Sequence, residues 1–200
     1  MRRLLQALKR SAQRLRRDER GLSAIETVVI VPMLFWALAG TFVMFNAFKT
    51  QTEGLRATNA IADAISRETS ELNGNYITSL YDLTRYMARG KHPIRQRITI
   101  VCRSTTVPDE YRVAWSVVRG PTNPVGIDPW TSQTINTRKD DLPIMPVGDQ
   151  LILVETMLSF RPVFGAILSD QTLNYWVFTR PRFTNQVKYQ GQPNWVCPNN

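Results

Sequence analysis

The sequence predicts an α+β fold: a long N-terminal transmembrane helix that continues beyond the bilayer as a stalk, a second helix, and a mostly antiparallel β-sheet domain. Three observations predict it. Residues 27–48 are 22 positions without one ionisable side chain. Apolar residues then recur at helical spacing to about residue 90, and after Pro93 the spacing switches to two. A chain of 200 residues supports one modest folded domain once a membrane segment is subtracted.

The first element follows from length and charge. A helix over 27–48 covers the roughly 30 Å hydrocarbon core at about 1.5 Å per residue. Its interruptions, Thr27, Thr41, Asn46, Pro32 and Gly40, are tolerated in membrane helices. A buried soluble helix is the alternative, but such helices seldom stay uncharged on every face for this length. Eight Lys and Arg stand against Asp18 and Glu19 in residues 1–21, so six of the nine net positive charges precede Leu22. By the positive-inside rule this end is cytoplasmic and the chain after Lys49 lies outside.

From residue 49 to 72 the pattern stays helical, with Leu55, Ile61, Ala62, Ile65 and Leu72 on one face, and "NGN" at 73–75 ends the helix. "YITSLYDLTRYMARG" reads as a second amphipathic helix, with Ile77, Leu80, Tyr81, Thr84 and Met87 on its apolar stripe and Gly90 as its stop. "IRQRITIVCR" then sets Ile94, Ile98, Ile100 and Cys102 against Arg95, Arg97, Thr99 and Arg103, with Gln96 as a polar break: a half-buried strand. "EYRVAWSVVRG" is its antiparallel partner. Residues 120–146, rich in Pro, Gly, Thr and Asn, read as a surface excursion with a short helical turn. Two further strands are expected near 149–160 and 172–180. The domains predicted are thus a basic leader at 1–21, a membrane and stalk helix at 22–72, and an outer α+β domain at 73–200.

The junction carries the functional signal. Gly21 follows Glu19 and Arg20, Glu26 stands five residues after it, and the apolar run begins at once. This arrangement resembles the class III leader of prepilin-like proteins, in which a peptidase cuts on the cytoplasmic side. That resemblance implies that Gly21 is the last leader residue, Leu22 the new N-terminus and Glu26 the fifth mature residue. Cutting there removes the positive charge and leaves the helix as an anchor. In a bundle of packed N-terminal helices, a buried Glu26 carboxylate needs a partner, which the α-amino group of a neighbour's Leu22 supplies. Alternatively, Glu26 sits at the water interface and complements the helix dipole.

"LSAIETVVIVPMLFWALAG", and "VIVPML" within it, resembles the TadE/TadG-type minor pseudopilins of the tight-adherence (Flp) pilus system. Thr27 stands where that family often has Phe, a departure in the peptidase recognition pattern. "VGDQLILVETMLSFRPVFG", residues 147–165, resembles the late strand of the same family. The resemblance implies a structural or assembly component of the pilus, single-pass in the bacterial inner membrane with its C-terminal domain periplasmic, or extracellular within the pilus. It implies as partners other pilins and pseudopilins, a prepilin peptidase, an inner-membrane assembly platform and membrane lipid. The competing reading is a signal-anchored envelope protein with an extracytoplasmic binding domain, in which the Gly21 and Glu26 register is accidental.

Cys102 and Cys197 are the chain's two cysteines, and on the orientation above both lie outside. A disulfide is the favoured reading, tying the tail to the sheet and contributing roughly 4 to 5 kcal/mol in the chain-entropy account; two buried thiols are the alternative. No catalytic set, cofactor or metal is expected. His92, the single histidine, lies in a connecting segment, and no phosphate loop or zinc motif appears. Asp128, Asp140 and Asp141 match no dense calcium loop. Arg95, Arg97 and Arg103 form either a solvated strand face or a docking face for an acidic subunit or lipid headgroups. Nucleic-acid binding is not expected, because most basic residues are in the leader.

Overall fold

The computed structural model describes residues 20–90, 92–105, 107–122 and 127–192, with side chains from Glu26 onward. The basic segment up to residue 19 and Cys197 lie outside the described residues. The chain divides into two compact units, Met1–Phe45 and Asn46–Asn200. One helix, α1 (Arg20–Ser66), contributes to both.

Within the first unit α1 runs unbroken through Pro32. Val28, Val29, Ile30 and Val31 are each more than half exposed, and four consecutive residues sample every side of a helix. Thr41 Oγ1 donates to the Ala37 carbonyl at 2.9 Å, so its hydroxyl is satisfied within the helix, as a membrane interior requires. The most apolar 18-residue window has mean hydropathy 2.3 and is only 11% buried. A soluble core helix would be buried instead, and α1 is compatible with a single-pass membrane anchor.

In the second unit α1 ends at Ser66, short of the expected residue 72. Ser66 Oγ turns back on the Asp63 carbonyl at 2.7 Å, and Leu72 leaves the helical pattern for a parallel bridge to Tyr189. Ladder bonds from Leu72 N–H to the Lys188 carbonyl and from Gln190 N–H to the Leu72 carbonyl hold it there. The buried face differs too. Leu55 is exposed, whereas Gly54, Ala57, Thr58, Ile61, Ala62 and Ile65 are buried. Small side chains let the helix approach the sheet closely: a Cβ on Gly54 would lie 2.5 Å from Tyr175 Cε2.

The "NGN" segment starts a helix rather than ending one. Asn73 Oδ1 accepts from Tyr76 N–H at 2.8 Å and caps α2 (Gly74–Met87). This helix buries Ile77, Leu80 and Thr84, and Gly90, at φ +59°, donates its N–H to the Arg85 carbonyl to close the C-terminus.

Four strands follow: β1 (Ile94–Arg103), β2 (Tyr111–Arg119), β3 (Gln150–Phe160) and β4 (Gln171–Thr179). They form one antiparallel sheet in the order β2-β1-β3-β4. On one face Ile98, Ile100, Trp115, Ile152 and Val154 pack with Ile61, Ile65, Ile77 and Leu80 of the two helices. The other face carries a second core of Val101, Tyr111, Leu151 and Leu153 under Ile135, Leu142 and Met145.

That second core corrects two expectations. Residues 120–146 contain a short helix α3 (Ser132–Asn136) and a 3-10 turn (Lys139–Asp141), but the segment is a covering layer whose apolar residues close over the sheet. Consequently β1 is not half-buried: eight of its ten residues are buried, Arg97 and Thr99 among them.

Candidate functional site

The first candidate is the start of α1. Gly21, Leu22 and Glu26 all lie within the helix, and Leu22 and Glu26, four apart, share one of its faces. The Glu26 side chain is exposed, and among the described residues no hydrogen bond or ion pair reaches its carboxylate. The next ionisable residue is Lys49. A single carboxylate thus directly precedes the 22-residue uncharged stretch of α1, residues 27–48.

The second candidate is the β1 arginine row, and its geometry overturns the solvated or docking face expected for it. Arg97 makes a fork-like pair with Glu155 of β3, Nε to Oε2 and Nη2 to Oε1, both 2.6 Å. Trp130 Nε1 donates to Glu155 Oε2 at 2.6 Å, and the Arg97 guanidinium lies 4.1 Å from the Trp130 ring centroid. Both oxygens of a fully buried carboxylate are therefore occupied. Arg97 Nη1 also donates to the Asp128 carbonyl at 2.6 Å. Arg95 donates to the carbonyls of Pro121 and Ile127, and Arg103 to that of Met145. The three arginines bind backbone carbonyls of the 120–146 layer, and the row serves to hold that layer on the sheet.

Glu155 and Trp130 were not singled out in the sequence, although a signal was present: Glu155 is the one charged residue in "QLILVETMLSF", a run otherwise fit for a core strand. Asn136 carried none. Its amide matches both backbone groups of Tyr111, accepting from the N–H at 2.9 Å and donating to the carbonyl at 2.7 Å. Ser132 Oγ accepts from Val113 N–H at 3.0 Å, and together they close the outer edge of β2.

The remaining expected residues lie apart from one another. His92, between α2 and β1, has its ring 5.2 Å from that of Phe160. Asp141 pairs with Arg138 at 2.6 Å and Asp128 contributes a carbonyl to Arg97. Among the described residues no three His, Cys, Asp or Glu side chains are placed to hold a metal ion. Cys102 is fully buried on the helix-covered face of β1, beside Gln150 in register, and no described cysteine is free. Gln150 Oε1 accepts from Val187 N–H at 2.9 Å, which brings the C-terminal segment to that end of the strand.

Three tyrosines are perturbed, among them Tyr81, whose hydroxyl is pushed up chiefly by burial. Burial pushes the Tyr175 hydroxyl up to about 12, and it has no hydrogen-bond partner. The Tyr76 hydroxyl is held well above its usual value by burial and by the bond it donates to Glu68 Oε1 at 2.5 Å. Comparison of the chain with family models, curated proteins and solved structures finds no match.

Proposed function

We propose that the chain is a minor pseudopilin of TadE/TadG type, a structural or assembly component of a tight-adherence pilus, cut between Gly21 and Leu22 by a prepilin peptidase. The observation that carries the reading is Glu26, five residues after Gly21 and directly before the uncharged membrane-length run 27–48. The way α1 continues supports it: the same helix supplies Ile61, Ala62 and Ile65 to the core of an α+β unit. On this reading the chain is single-pass in the inner membrane with the residues after Lys49 on the periplasmic side, its partners are other pilins and pseudopilins, the prepilin peptidase, the assembly platform and membrane lipid, and it performs no catalysis. A Cys102 to Cys197 disulfide belongs to the same proposal, supported by the buried place of Cys102 and the nearby course of the C-terminal segment.

The mechanism needs the Leu22 amine that cleavage creates. In a packed bundle that ammonium pairs with the Glu26 carboxylate of a neighbour, and neutralising either partner strands the other in low dielectric at a cost of about 3 to 5 kcal/mol. N-terminal mass spectrometry of the membrane form is expected to find Leu22 first, and Gly21→Val to leave the chain uncut. Glu26→Gln is expected to be cut yet fail to enter the pilus. An uncut terminus in cells with active peptidase refutes the processing; cut Glu26→Gln that incorporates normally refutes the pairing.

A further inference from the structure

Within the second unit α1 begins against one end of the sheet. Ala47 packs on a cluster of Ala88, Ile94, Leu158, Phe160 and Tyr175, which joins the C-terminus of α2, the start of β1 and the end of β3. Phe48, the last residue of the uncharged run, is 62% exposed beside it. Further along, Glu53 Oε1 takes Arg89 Nε at 2.9 Å. Five residues of helix separate Phe48 from Glu53, a rise of about 7 Å, similar to the thickness of the headgroup layer outside the hydrocarbon core. If Phe48 ends the hydrocarbon-spanning stretch, this end of the sheet stands at headgroup depth.

The side chains there suit that depth. Tyr86 at the end of α2 is 82% exposed, and Val163 and Phe164 in the β3–β4 connection are 75% and 39% exposed. The connection is folded back on the same cluster, with Leu168 packed against it and Leu168 N–H donating to the Phe164 carbonyl at 3.4 Å. Arg85 and Arg161 stand beside these apolar groups with more than half of their side chains exposed, each in a loose, solvated ion pair, with Asp82 at 3.8 Å and with Asp170 at 3.5 Å, that screening by water leaves open to exchange for a phosphate. Arg85, Tyr86, Met87 and Arg89, with Asp82 and Gly90, also line an open hollow of about 710 Å³. Tyrosine and arginine are the side chains that anchor at a membrane interface, with an apolar body turned to the acyl chains and a polar tip to phosphate and water. Exposed apolar residues occur at the opposite end of the sheet too, Ile144 and Phe183 among them. Only the first end is joined within a turn of helix to the apolar run.

We infer that the end of the folded unit formed by the α2 C-terminus and the β3–β4 connection docks on the phospholipid surface, with Tyr86, Val163 and Phe164 entering the headgroup–acyl boundary and Arg85, Arg89 and Arg161 meeting phosphates. The inference rests on α1 being a membrane anchor.

The test uses the full chain in vesicles of phosphatidylethanolamine and phosphatidylglycerol, spin-labelled at Tyr86→Cys or Val163→Cys, with Ile144→Cys as the distal control and Phe35→Cys as the reference within the apolar run. Collision rates with oxygen, which concentrates in lipid, and with a nickel chelate confined to water are compared. The expected result is an oxygen-to-nickel ratio at 86 and 163 several-fold above that at 144 and below that at 35. A lipid-like value at 35 with water-like values at 86 and 163 overturns the docking and leaves the anchor intact. Shielding of 86 and 163 from both reagents overturns it in favour of a protein contact. A water-like value at 35 removes the anchor and this inference with it.

Discussion

Glu155 is the residue on which the second face of the sheet depends. Its carboxylate is fully buried and receives three donor contacts, two from Arg97 and one from Trp130. Glu155→Gln retains the shape but leaves the Arg97 charge uncompensated in the interior, and a loss of about 3 to 5 kcal/mol is expected. Replacing both partners, Arg97→Met with Glu155→Leu, is expected to recover most of it, because the ion pair's own desolvation cost disappears too. Thermal unfolding of the detergent-solubilised chain measures both, and a double variant as unstable as the single one contradicts this account. Tyr175 presents a second case. The folded-state value of its hydroxyl, about 12, lies above the ordinary value near 10. Between these values the folded chain keeps a proton that the unfolded chain releases, so the contribution is complete below about pH 10 and is lost as pH rises toward 12. Tyr175→Phe is expected to be neutral or stabilising by about 1 kcal/mol near neutrality, since the hydroxyl has no partner, and to flatten the decline of Tm above about pH 10. An unchanged alkaline slope contradicts the assignment.

Side-chain hydrogen bonds mark the ends of both helices and the edge of the sheet. Ser66 and Asn73 show this for the helices: one turns its hydroxyl inward at the end of α1, the other caps α2. Asn136 shows it for the sheet. Its side-chain amide completes Tyr111 as a neighbouring strand would, so β2 ends the sheet on that side. Asn136→Ala leaves both backbone groups of a buried residue unpaired, at a cost of about 1 to 3 kcal/mol. Hydrogen exchange is expected to accelerate most at the Tyr111 amide and to stay slower at Val113, whose N–H bonds Ser132 Oγ rather than Asn136. Equal acceleration at both would show that α3 had detached rather than that one pair had been lost.

At the scale of the whole molecule the two units have opposite relations to solvent. In the first, apolar side chains from Val28 to Phe45 are largely exposed; in the second, the central strands are buried on both faces. That contrast fits a chain with its first unit in lipid and its second in water. A reporter fused after Asn200 is expected to be active only outside the cytoplasm, and activity inside would reverse the proposed orientation. Free-thiol labelling of the unreduced, denatured chain is expected to give almost no signal, and stoichiometric labelling of both cysteines would refute the Cys102 to Cys197 bridge. Cys197→Ser is then expected to lose its C-terminal tail to protease before the sheet is cut.

The sequence by itself determined the fold class, the four strands to within about a residue or two, the second helix, and the membrane-length run, because each rests on local periodicity or on an unbroken stretch of one chemistry. It also carried the Gly21 and Glu26 register, a matter of spacing alone. Tertiary structure decided the rest. Leu72 fits the helical pattern as well as Ile65 does, and only the ladder with Lys188 and Gln190 draws it away. The small-residue face of α1 centred on Gly54 is quiet on any apolar scale; its meaning is the nearness of Tyr175. Arg95, Arg97 and Arg103 alternate as a solvent-facing row would, yet their partners are a carboxylate 58 residues away and the carbonyls of a layer that composition alone describes as loop. A charged side chain records that it needs a partner, and whether that partner is water or protein depends on what the remainder of the chain folds over it.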